Sequence, residues 1–113
     1  MKFLKVFLII LLSNLLLAEH PKRILFVGNS YLYYNDSVHN HVKRMLIEHY
    51  EDEDIITKSA TIGGSRLHNH NIDHLLDYNN LQLKQQIDLL IMQGGSKEVT
   101  TPKSRSKFTK TAI

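Results

Sequence analysis

The sequence predicts an α/β protein: a three-layer parallel sheet with helices on both faces. Three observations lead there. Strand-like stretches recur at Ile24 to Val27, Ile55 to Ala60 and Ile87 to Met92, the first and third of them apolar. Each is short enough for a strand, and the first has the continuous apolar pattern of a strand covered on both sides. Stretches with helical spacing or helix-start signals follow them. The order strand, helix, strand, helix, strand, helix calls for parallel strands joined by right-handed crossovers.

The elements are justified in chain order. Met1 to His20 reads as an export signal. Lys2 and Lys5 form a positive start, Val6 to Leu17 an apolar stretch broken by Ser13 and Asn14, and Ala18 suits the position before a cleavage site. The apolar stretch is short against the roughly 20 residues of a bilayer span. Residues 1–18 are therefore expected to be a signal peptide and residues 19–113 the exported domain. An uncleaved membrane anchor is the alternative.

Ile24 to Val27 is the first strand, ending at Gly28-Asn29-Ser30. Asn35, Asp36 and Ser37 are helix-capping types; Asn35 is the preferred cap. Val38, Val42, Met45, Leu46 and His49 then recur at helical spacing. The acidic run Glu51 to Asp54 reads as a solvated turn. The second strand ends before Gly63-Gly64. Leu67, Ile72, Leu75 and Leu76 suggest a second, less regular helix, and Asn79-Asn80 a turn. The third strand ends at Gln93-Gly94-Gly95-Ser96. Pro102 suits a helix's first turn, with Phe108 and Ala112 on its apolar side. The arrangement expected is flavodoxin-like, apparently truncated after the third strand and helix.

Composition narrows the function classes. The chain has 113 residues, a formal charge of +3 and no cysteine. Lys2 and Lys5 lie in the expected signal, so the remainder is close to neutral and implies no polyanion partner. The basic series Lys97, Lys103, Arg105, Lys107 and Lys110 fits a solvated helix face better than a nucleic-acid site. The lack of cysteine excludes disulfides, zinc–thiolate sites, thiol catalysis and a lipoprotein acyl anchor.

In a parallel sheet the three glycine-rich breaks meet at the carboxyl edge, where such folds place their sites. Serine hydrolysis needs a nucleophile, a base and oxyanion donors. Ser30 stands at a strand-to-helix corner that exposes a hydroxyl. Gly64 lacks a side chain that would block approach to its N–H, and Gln93 carries an amide donor. The same residues also suit three turns of a small α/β protein.

"ILFVGNSYLYYND" resembles the first block of the SGNH, or GDSL-like, hydrolase superfamily, in which the serine of Gly-Asp-Ser or Gly-Asn-Ser is the nucleophile. "ATIGGSRLHNH" resembles the second block, whose glycine, here Gly64, donates an N–H to the oxyanion. "DLLIMQGGS" resembles the third, which bears an amide donor. Its usual form is Gly-x-Asn, with Ser96 at the Asn position; the Gln-Gly-Glu of some carbohydrate-esterase branches is closer to Gln93-Gly94-Gly95. The resemblance covers roughly residues 23 to 97. It implies Ser30 as nucleophile, Gly64 as oxyanion donor, and Gln93, with Ser96 as second choice, as the side-chain donor.

The superfamily's fourth element, Asp-x-x-His near the C-terminus, has no counterpart after Ser96. The expectation is an N-terminal portion of a serine esterase, inactive by itself. The substrate class implied is a small-molecule or carbohydrate ester, with no cofactor, no metal and no nucleic acid. The rival is an exported binding module that keeps the cleft without the base. His70 and His74 stand four apart and would share a helix face, near His68, but surface histidines are the simpler account. Tyr31, Tyr33 and Tyr34 are expected to pack in the core and cleft wall, or to form a wall for a sugar or acyl group.

Overall fold

The computed structural model describes residues 19–113. The expected signal peptide lies outside these residues. Among those described, no helix is long and apolar enough to cross a membrane.

Three strands form one parallel sheet: β1 (Arg23–Gly28), β2 (Ile56–Thr61) and β3 (Leu89–Met92), in the order β2-β1-β3. This is the strand order at the start of a flavodoxin-like sheet. β1 lies between the other two, and its apolar residues are the most deeply buried of the three strands. Ile24, Leu25, Phe26 and Val27 are all buried. Their alternation feeds two cores. Ile24 and Phe26 pack with Leu32, Val42, Leu46 and Ile91 on one face. Leu25 and Val27 pack with Leu67 on the other, together with Ile72, Leu75, Phe108 and Ala112.

The helices follow the same division. α1 (Ser30–Tyr33) is a single turn and α2 (Val38–Tyr50) covers the Phe26 face. α3 (Ile72–Leu76) and α4 (Pro102–Ala112) cover the Leu25 face. Helices thus lie on both faces, as the sequence predicts. Met45 departs from the expected α2 stripe, being 68% exposed.

The second predicted helix is broken into pieces. A 3-10 turn spans Leu67–Asn69, α3 follows, and another 3-10 turn spans Tyr78–Leu81. The cause is polar competition with the helix. The Asn71 side chain accepts from the His74 N–H and starts α3 afresh. The acidic run is also more than a solvated turn. Asp52 pairs with His20 at 2.8 Å and with Lys22 at 3.3 Å.

Between α1 and α2 the backbone takes positive φ at three successive non-glycine residues: Asn35, Asp36 and Ser37, at 51°, 64° and 62°. L-residues pay about 1 kcal/mol or more for each such conformation. Local bonds hold the segment. Ser37 Oγ donates to the Leu32 carbonyl at 2.8 Å, His41 Nε2 meets the Asn35 carbonyl at 2.7 Å, and Arg44 pairs with Asp36 at 2.8 Å. Ser37, not Asn35, occupies the cap position of α2, and its side chain makes no capping bond. The turn directs the tyrosines outward. Tyr31 is 67% and Tyr34 65% exposed, so neither packs in the core.

Candidate active site

β1 ends at Gly28, opposite Thr61 of β2, and Val27 lies opposite Met92 of β3. This register brings the three glycine-rich loops together. Gly28 has no room for a side chain: an added Cβ would lie 2.6 Å from Gln93 Oε1 and 2.7 Å from Leu32 Cδ1.

Asn29 is the tie between the loops. It is only 4% exposed. Its N–H donates to Gln93 Oε1 at 3.1 Å, and its Nδ2 donates to the Ser65 carbonyl at 3.1 Å. Its Oδ1 accepts from the Tyr31 N–H at 3.2 Å, capping α1. One side chain therefore fixes the first loop against the second, and its backbone fixes the first against the third. Buried polar groups satisfied in this way are costly to remove.

Above this tie is a cavity of about 390 Å3, lined by Asn29, Ser30, Tyr31, Gly64, Arg66 and Ser96 among others. Ser30, Gly64 and Ser96 therefore share one cleft. The Ser30 hydroxyl has no hydrogen-bond partner among the described residues, nor do the N–H groups of Ser30 and Gly64. Gly64 has φ +68°, a conformation natural to glycine and strained for other residues. Gln93 is placed differently. Its Oε1 is taken by the Asn29 N–H and its Nε2 bonds the Gly94 carbonyl. It braces the wall and does not line the cavity.

The floor rests on a residue that sequence reasoning passed over. Glu98 is 2% exposed. Its carboxyl oxygens accept from the Leu67 N–H, both at 3.1 Å, and from the Gly95 N–H. It thereby joins the second loop to the third. The signal was present: an acidic residue three after a candidate cap is a capping-box pattern. Lys97 was read with the basic helix, yet α4 begins only at Pro102 and Lys97 lines the cleft.

The histidines divide by surroundings. His70 precedes α3 and shares no helix with His74. It is buried, and its Nε2 lies 3.1 Å from Ser65 Oγ. Burial pushes its pKa below the ordinary 6.5, with a smaller opposing effect from the Gly28 carbonyl. His68 Nδ1 is buried without a hydrogen-bond partner among the described residues, 3.9 Å from Glu98 Oε1. No group of three metal-ligating side chains occurs among the described residues. One Asp-x-x-His does lie upstream, at Asp36 to His39, and the sequence reading overlooked it. The two do not form an acid–imidazole pair. Asp36 holds Arg44, and His39 Nδ1 lies 2.7 Å from Ser37 Oγ. Neither lines the cleft.

No family model, curated relative or solved structure matches the chain.

Proposed function

We propose that this cleft is the nucleophile and oxyanion half of an SGNH-type serine esterase site, acting on a carbohydrate or other small ester. The observation that carries the reading is the free Ser30 hydroxyl in a cleft shared with the unpaired N–H groups of Ser30 and Gly64. Donors fixed in advance, with no internal partner, are what a developing oxyanion requires. Ser96 lines the same cleft and is the side-chain donor exposed there; Gln93 holds the loop in place.

The step is acyl transfer. Ser30 Oγ bonds to the ester carbonyl carbon as its proton leaves to a base. The tetrahedral oxyanion collapses, and the alcohol departs with a proton. Water then attacks the acyl-serine, releasing the acid and restoring the hydroxyl. Among the cleft-lining residues none is an imidazole or a carboxylate. In this reading the base comes from outside the cleft-lining residues, and the described residues alone should hydrolyse esters poorly.

That lining also favours a second reading, an exported module that binds through the cleft without catalysis. Two measurements separate them. With imidazole in the buffer to serve as base, a p-nitrophenyl alkylphosphonate should form a phosphorus–oxygen bond to Ser30 and release one equivalent of p-nitrophenolate. Peptide mapping should find the label on Ser30, and Ser30→Ala should remove it. Imidazole added to the buffer should raise aryl acetate hydrolysis more in the unmodified chain than in Ser30→Ala. Labelling elsewhere, or equal rates in both proteins, supports the binding module.

A further inference from the structure

Among the described residues the charges lining the cleft are all of one sign: Arg66 and Lys97 line it, and no acidic residue does. Both side chains are exposed, and neither forms an ion pair among the described residues. The adjacent acid, Glu98, is buried beneath the loops with its oxygens turned to the N–H groups of Leu67 and Gly95. Its acceptors are used by the fold and do not reach into the cavity. The cations at the opposite sheet edge are treated otherwise: Lys22 is paired with Asp52 and Arg23 with Asp88.

We infer that the cleft selects an anionic ligand: an ester whose alcohol or acyl part carries a separate carboxylate or phosphate. Two unpaired cations in a concave site focus negative charge and recognise anionic oxygens by charge-assisted hydrogen bonds. The exposed ring of Tyr31, which also lines the cavity, offers an apolar surface for the body of such a ligand. Ser30, Gly64 and Ser96 leave the reacting carbonyl a place between hydroxyls and N–H groups. The word substrate here rests on the esterase reading; the charge preference rests on Arg66 and Lys97 alone.

The test uses the Ser30→Ala chain, which cannot turn over an ester, titrated by NMR with glucuronate, glucose 6-phosphate and glucose. At least one acid should bind about tenfold or more tighter than glucose, and increasingly weakly as salt is added. The tighter acid identifies carboxylate or phosphate as the group preferred. Arg66→Gln and Lys97→Gln are exposed changes that leave the fold intact. Each should weaken that acid about three- to tenfold, and the double variant should bind it no better than glucose. Equal binding of acids and glucose overturns the inference, as does acid binding indifferent to both substitutions. Failure of Ser30 to take the phosphonate would remove the esterase reading and leave this binding result standing.

Discussion

The two edges of the one sheet are built on opposite plans. At the amino edge the charges that line the cavity have partners. Arg23 meets Asp88 at 2.8 Å, and the Asp88 Oδ2 also accepts the N–H groups of Lys22 and Arg23, each at 2.9 Å. His20 stacks on Tyr50 with ring centroids 4.0 Å apart and bonds Asp52. At the carboxyl edge the buried Asn29, Ser65 and Glu98 and the half-buried Gln93 are neutral or locked inward. The groups left over, Ser30, Gly64, Arg66 and Lys97, face a cavity. The amino edge has a larger cavity, about 770 Å3, lined by Lys22, Arg23 and Asp88 among others. Volume is therefore a poor guide. An edge whose polar groups answer one another is structural, and one that leaves donors over is prepared for a ligand.

The comparison breaks most readily at Glu98. Glu98→Ala removes a buried acceptor and strands the N–H groups of Leu67 and Gly95, so it should cost about 2–5 kcal/mol in urea unfolding. Glu98→Gln, which keeps an acceptor, should cost less than half of that. Equal losses would mean that shape, not hydrogen bonding, sets Glu98's contribution. Asn29→Ala should follow at about 1–3 kcal/mol, since Ser65 and Tyr31 each lose a partner. It should also shift the amide resonances of Ser65 and Tyr31.

Acid should weaken the carboxyl edge before the amino edge. His70 and His39 both have pKa values held below the ordinary 6.5 by burial; the Gly28 carbonyl opposes this for His70, and Asp36 for His39. Their unfolded forms bind protons more readily. The stability they contribute is therefore full above pH 6.5 and is lost as pH falls through the folded-state values. The melting temperature should drop between pH 7.5 and 5.5, and His70→Asn should flatten the drop. A melting temperature independent of pH over this range would contradict the burial of His70.

The amino edge should yield the smallest effect. Burial raises the pKa of Asp88, but the N–H groups of Arg23 and Lys22 and the Arg23 guanidinium outweigh it and hold it below the usual carboxylate value. Its stabilisation is present at neutral pH and is lost only as pH falls through the carboxylate range. The pair is partly exposed, so Arg23→Ala should cost less than about 1 kcal/mol, shrinking in high salt. A loss as large as that from Asn29→Ala would remove the distinction between the two edges.

The sequence by itself determined the strands. Ile24 to Val27 reads as a strand covered on both faces, because four successive apolar residues need cover on both, and the breaks at Gly28, Gly63-Gly64 and Gly94-Gly95 follow the three strands; that β1 lies between β2 and β3 was decided by the tertiary structure. The start of α4 was equally legible from Pro102, which acts locally; the Thr101 cap, which accepts from the Ser104 N–H, was not read. Ser30 and Gly64 could be named together because parallel strands deliver their ends to one edge. Which groups remain free at that edge was decided by tertiary structure alone. Gln93 is an amide donor in sequence, but its Nε2 donates to the Gly94 carbonyl while its oxygen accepts from the Asn29 N–H. Ser96 and Lys97 reach the cleft because Glu98, two and one residues on, is drawn inward by the backbone of Leu67, 31 residues earlier. His70 leaves the expected helix for a bond to Ser65. Periodicity reports the face an element buries, but a hydrogen bond between distant loops depends on the closed geometry of three chain segments, which no local pattern encodes.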